Sequence, residues 1–141
     1  MAERVVPVEL DVTWEPNAPD AVLATNDGGR ACLAVAAHFD DSDQRPVVLV
    51  WEDCLVAEMS PPNDEARHLH PLFKAGRGVL WLGEVLDSDR LAFIRPMVAI
   101  APTRHFVVPL KECLVEALAS SITVRRGSGT TAEAALAALT T

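Results

Sequence analysis

The stretch "AVLATNDGGRACLAV", Ala21–Val35, sets two apolar runs on either side of Asn26–Gly29. Asparagine and glycine accept the positive φ angles that a tight reversal demands, so the stretch reads as a β-hairpin turning at "NDGG". The same grammar repeats outward in both directions. "VVPVELDVTW" (Val5–Trp14) reads as a first strand, and Pro7 places it at a sheet edge because proline cannot donate to a ladder. "VVLVW" and "CLVAEM" read as a second hairpin about Glu52 and Asp53, and "HFVVPL" with "CLVEALA" as a third about Lys111 and Glu112. "GVLWLGEVL" (Gly78–Leu86) and "ITVRR" (Ile122–Arg126) supply further strands.

Helical signals are few. Asp87 or Ser88 can cap a short helix over 88–95 that Pro96 would end, and Thr130 with Glu133 forms a capping box ahead of "TAEAALAAL". Short valine-rich runs divided by turn residues predict a mainly β fold. The expected architecture is an antiparallel sandwich or flattened barrel of about eight or nine strands, with one short helix and a C-terminal helical tail. The expected organisation is a single β domain over 1–126, followed by a linker and short helix over 127–141.

The chain has 141 residues, enough for one domain that buries a core without disulfide staples. Its three cysteines, Cys32, Cys54 and Cys113, are odd in number and widely spaced, which reads as free thiols in the cytoplasm. The N-terminal apolar run is broken by Pro7 and Glu9, too short for a signal peptide or a membrane span, so no membrane association is expected. Residues 1–65 carry 14 acidic and 3 basic side chains; residues 66–141 carry 6 and 9. That acidic half, with no basic run interleaved with aromatics, argues against nucleic-acid binding.

Chemistry concentrates in "PPNDEARHLHPLF", Pro61–Phe73, which gathers Asn63, Asp64, Glu65, Arg67, His68 and His70 as candidate ligand-binding residues. Histidines at i and i+2 face one way only in extended chain, and Pro71 biases His70 towards that geometry. His68 and His70 with Glu84 and His105 from neighbouring strands then make a candidate divalent-metal set of cupin-like outline. The alternatives for the same loop are a pocket for a small molecule or peptide, and a structural role in which Asn63 caps a helical turn while the histidines bind backbone carbonyls. Cys54 and Cys113 stand beside acidic residues, which raise a thiol's pKa, so neither reads as a nucleophile. Trp14, Trp51 and Trp81 read as core.

The segment Pro61–Phe73, followed by "GEVLDS" and "RHFVVPLKECLVEALA", resembles a group of small, functionally uncharacterised bacterial proteins. These carry N-D-E-A-x-H-x-H-P-L-[YF], then a G-x-x-E-V strand, a helix and an R-H-[FY] strand. The resemblance covers about 61–119 and maps Asn63, Asp64, Glu65, His68, His70, Pro71, Glu84 and His105 onto the group's pattern. Leu69 stands where glycine is usual, and "SDRLAFIRPMVAIAP" replaces a longer connection. The resemblance implies kinship and no particular activity.

Two function classes follow: a non-enzymatic binding or accessory protein that holds a small molecule or partner chain at the 61–73 loop, and a small metal-dependent enzyme using the His/Glu set. Hydrophobic residues make up 50% of the chain, more than a small monomer needs to cover. The expectation is a homodimer in which a sheet face or the "TAEAALAAL" helix packs on the partner, unless the tail caps its own apolar strip.

Overall fold

The computed structural model describes residues 3–15, 17, 20–61, 81–94 and 102–141. Within them lie β1 (Arg4–Pro7), β2 (Val22–Thr25), β3 (Ala31–Val35), β4 (Val47–Glu52), β5 (Val56–Ser60), β6 (Gly83–Leu86), α1 (Asp89–Ile94), β7 (Arg104–Pro109), β8 (Leu114–Ala119), β9 (Ser121–Arg126) and α2 (Thr131–Leu139). The strands form two antiparallel sheets, ordered β1-β6-β7-β8-β5 and β2-β3-β4-β9, packed as a sandwich and not closed into a barrel. The mainly β expectation holds.

Two of the three expected hairpins form. β2 and β3 pair from Val22↔Ala34 to Thr25↔Ala31 across the "NDGG" turn. Gly29 alone in that turn takes a positive φ, 88°. Asn26 works through its side chain instead, whose Oδ1 accepts from the Gly28 and Arg30 N–H groups. β7 and β8 pair about Lys111–Glu112, with Pro109 opposite Leu114.

The hairpin expected about Glu52 and Asp53 is corrected. β4 pairs with β9 and β5 with β8, so β4–β5 and β8–β9 run side by side as one long ribbon that passes from one sheet into the other. Glu52 opposes Ser121 and Val56 opposes Leu118, leaving three residues between these pairs on one strand against two on the other. That extra residue is a β-bulge, and Asp53 at φ 48° supplies the bend. Neither Glu52 nor Asp53 is glycine, and without it a two-residue reversal is hard to close.

The first strand is also shorter than read. Its ladder ends at Pro7, and β1 does lie at a sheet edge. Beyond it the chain crosses to the other sheet, where Trp14 makes an isolated bridge to Ala37.

Alternation along the strands sorts the side chains. Leu33, Leu49, Trp51, Phe106, Val115 and Ala117 face inward between the sheets and are fully buried; each large apolar side chain so buried contributes roughly 1.5–3 kcal/mol. Cys32, Ala34, Val48 and Val50 face outward, under Ala134, Ala135 and Ala138 of α2. The tail helix thus covers an apolar strip of its own chain. Its capping box is formed, Thr130 Oγ1 accepting from the Glu133 N–H at 3.1 Å and the Thr130 N–H donating to Glu133 Oε1 at 3.0 Å.

Helix and sheet meet closely at Gly127, where an added Cβ would lie 2.4 Å from Ala134 Cβ and 3.3 Å from Val48 Cγ2. Gly127→Ala is therefore expected to push α2 away from its sheet and cost about 1–3 kcal/mol, the usual range for overpacking. Urea unfolding checks this, and an unchanged midpoint would show that the helix is not seated there.

Candidate functional site

Asn63, Asp64, Glu65, Arg67, His68 and His70 lie outside the described residues. Glu84 and His105 lie within them, and the structure does not bring these two together. Glu84 opposes Phe106 across β6 and β7, so His105, one residue earlier, points to the opposite face of the sheet. Glu84 instead receives two bonds from Arg104, at 2.7 and 3.1 Å, and this guanidinium stands 4.7 Å from the centre of the Phe106 ring. The ion pair raises the Arg104 pKa further. Among the described residues no three His, Cys, Asp or Glu side chains converge as a metal set.

His105 belongs to a different constellation. On the outer face of the five-stranded sheet, Ser88 Oγ lies 2.7 Å from His105 Nδ1, and Glu116 Oε1 lies 2.8 Å from His105 Nε2. Ser88, His105 and Glu116 are 6%, 1% and 5% exposed. Arg90 extends the row outward: its Nη1 is 3.6 Å from Glu116 and 2.6 Å from Glu58. Three elements supply these groups, since β7 and β8 hold the histidine and Glu116 while α1 and its cap hold Ser88 and Arg90.

Helix capping explains Ser88. Its Oγ accepts from the Leu91 N–H at 3.2 Å, and its carbonyl accepts from the Ala92 N–H, while the Asp89 N–H is met by Glu3. The hydroxyl proton is then free to go to His105 Nδ1, leaving Nε2–H to donate to the Glu116 carboxylate. Every group in the row is satisfied by that arrangement. A serine, an imidazole and a carboxylate in series are also the parts of a nucleophilic triad. Here the serine oxygen is buried and already committed to the helix end, so the row fastens α1 to the sheet.

Sequence reading singled out His105, as a candidate metal ligand, and left the helix cap between Asp87 and Ser88, without the connection between the two. The signal lay in the third hairpin: pairing about Lys111–Glu112 puts Glu116 opposite Val107, diagonal to His105 on the same face. A lone glutamate in "CLVEALA" needs a buried partner, and a histidine two residues from its cross-strand mate provides one.

The thiols are quiet. Burial pushes the Cys32 pKa up, and burial first, Glu112 second, raises that of Cys113. Burial pushes Cys54 up to about 11, whereas the sequence had pointed to its acidic neighbours as the cause.

No protein-family model, curated protein or solved structure matches the chain.

Two outcomes are expected. Ser88→Ala removes a helix cap and leaves His105 Nδ1 without its partner, costing about 2–3 kcal/mol in chemical denaturation, with Ser88→Thr recovering most of the loss. A cost under about 0.5 kcal/mol, the range of neutral surface changes, would show that these bonds do not hold the helix. Cys54 in the native protein at pH 8 should react with iodoacetamide at least about tenfold more slowly than in denaturant, where a thiol titrates near 8.5. Because the folded value is the higher one, the burial of this thiol stabilises fully below about pH 8.5 and its contribution is lost as pH rises through about 11.

Proposed function

We propose that the protein is a cytoplasmic, non-enzymatic binding or accessory protein that holds a small molecule or partner chain with segment 61–73. What supports this reading is the excess length of the strand connection. Ser60 ends β5 opposite Leu114, and Gly83 opens β6 opposite Val107, so both lie at the same end of the sheet with β7 and β8 between them. Three strand spacings amount to roughly 14 Å, a distance that about five extended residues cover. The chain uses residues 61–82 for it, and among them stand Asn63, Asp64, Glu65, Arg67, His68 and His70. Connections so much longer than their span, set on a rigid sheet, commonly carry recognition.

Three free cysteines accord with a reducing compartment, and among the described residues no helix is long and apolar enough to cross a membrane. The metal reading is left with His68 and His70, because Glu84 is held by Arg104 and His105 by Ser88 and Glu116.

Protein purified without a polyhistidine tag is expected to carry no stoichiometric zinc, iron or manganese by elemental analysis. In a thermal-shift screen of small metabolites and peptides, hits that stabilise the wild type should lose their effect in a His68→Ala/His70→Ala variant with an unchanged circular dichroism spectrum. Stoichiometric metal that disappears in the double variant would replace this reading with the metal-dependent one. Hits that stabilise both proteins equally would remove segment 61–73 from the site.

A further inference from the structure

β9 is the last strand of the four-stranded sheet, and its ladder leaves one side open. The register with β4 runs from Glu52↔Ser121 to Val47↔Arg126, and one step further the Gly127 N–H donates to Pro46 O at 2.9 Å. Bonded and non-bonded pairs alternate along an antiparallel ladder, so Arg125 and Thr123 turn their N–H and C=O groups towards β4. Ile122, Val124 and Arg126 turn theirs the other way. Among the described residues no strand pairs with that side. Thr123 is exposed and Val124 is 36% exposed, as an open edge requires.

Open edges are normally blunted by brevity, proline, a bulge or charge. The β1 edge has four residues and ends on Pro7, and the β2 edge has four. β9 has six residues and no proline. Its two arginines are occupied along their own chain. Arg126 pairs with Asp41 and donates to the carbonyls of Asp43 and Arg45 at 2.9 and 3.0 Å, and Arg125 donates to Thr141 Oγ1 at 2.9 Å. On the inner face Ile122 and Val124 lie opposite Trp51 and Leu49, both fully buried. The apolar layer between the sheets therefore runs out to this edge and stops at Val124.

We infer that β9 pairs antiparallel with β9 of a second copy of this chain, across a two-fold axis at Val124, joining the two four-stranded sheets into one. The occupant follows from the register. With the axis at Val124, that residue faces itself and Ile122 faces Arg126, so every outward backbone group meets another and each pair exchanges both of its bonds. Thr123 faces Arg125, and no arginine stands directly opposite another. An axis at Arg125 would oppose two like charges, and one at Thr123 would set Arg126 against Ser120, whose N–H is already committed to Glu52 O at the bend. The edge is thus complementary to itself, as a two-fold interface demands. Ile122 and Val124 of both copies then continue the buried layer across the axis. The contact uses neither α2, which covers its own chain, nor segment 61–73.

An edge contact of this size falls below about 1,200 Å², where association is transient, so the full chain is followed from about 10 µM to about 1 mM. Salt at about 0.3 M screens the repulsion between two chains of net charge −8. Sedimentation is expected to move from monomer towards dimer, and amide hydrogen exchange followed by NMR reads the register. Ile122, Val124 and Arg126 should exchange at least about fivefold more slowly at the upper concentration than at the lower, while Thr123 and Arg125, bonded to β4, stay slow throughout. Val124→Pro removes an outward N–H without touching the β4 ladder, and Val124→Lys sets two like charges face to face; both should stay monomeric at about 1 mM with an unchanged circular dichroism spectrum. Should the proline variant not fold, the lysine variant and the wild-type exchange pattern decide. A monomeric mass across the whole range, exchange at 122, 124 and 126 that ignores concentration, or a dimer that survives Val124→Lys would overturn the inference.

Discussion

An extra residue at the Asp53 bend forces the ribbon β4–β5/β8–β9 to turn from one sheet into the other, and most of the remaining architecture follows from that turn. Two strands that would otherwise continue flat are instead shared, their first halves in one layer and their second halves in the next. The bend is held from several sides. Ser120, where β8 passes into β9, donates its N–H and hydroxyl to Glu52 O, and the hydroxyl also lies 2.9 Å from Asp53 Oδ2. The Cys54 N–H donates to Gly29 O, so the tip of the β2–β3 hairpin leans on the same corner. Arg30 joins it by gripping Glu52 with two bonds while donating to Ala138 O at the end of α2.

The two sheets solve the same problem differently on their outer faces. On the four-stranded sheet the outer residues are small and apolar, and α2 answers with alanines, allowing the close approach that Gly127 completes. The five-stranded sheet mixes Val5, Val85, Val107 and Leu114 with His105 and Glu116. A polar pair there demands directional partners, so α1 is tied by hydrogen bonds in fixed places where α2 is held by packing.

Much of this was legible in the sequence, for local reasons. Turns that carry their own chemistry, such as "NDGG" with its αL glycine and Asx side chain or the Thr130–Glu133 box, are written in a few neighbouring residues, and these formed as read. The bend at Glu52–Asp53 was misread as a reversal because both a hairpin and a bulge interrupt an apolar run with polar residues. Only the identity of the pairing partner, β9 or β5, separates the two, and that is decided far away in the chain. The site behaved likewise. His105 stood out as a reactive side chain in an apolar strand, yet its partners came from a helix cap and from across a hairpin, which spacing along the chain does not display. Trp14 was correctly read as buried, but no sequence pattern shows that an indole donor will lack an acceptor.

The docking of α2 bears on the order in which the molecule is completed during synthesis. Strands β2 to β4 leave the ribosome long before β9 and the helix, so the outer face formed by Cys32, Ala34, Val48 and Val50 waits bare while the remaining chain is made. β4 likewise lacks its β9 neighbour for most of that interval. A nascent chain of this protein therefore presents a greasy, half-paired sheet to chaperones until residues 121–139 arrive, and a chain arrested short of them shows that face to the quality-control proteases permanently.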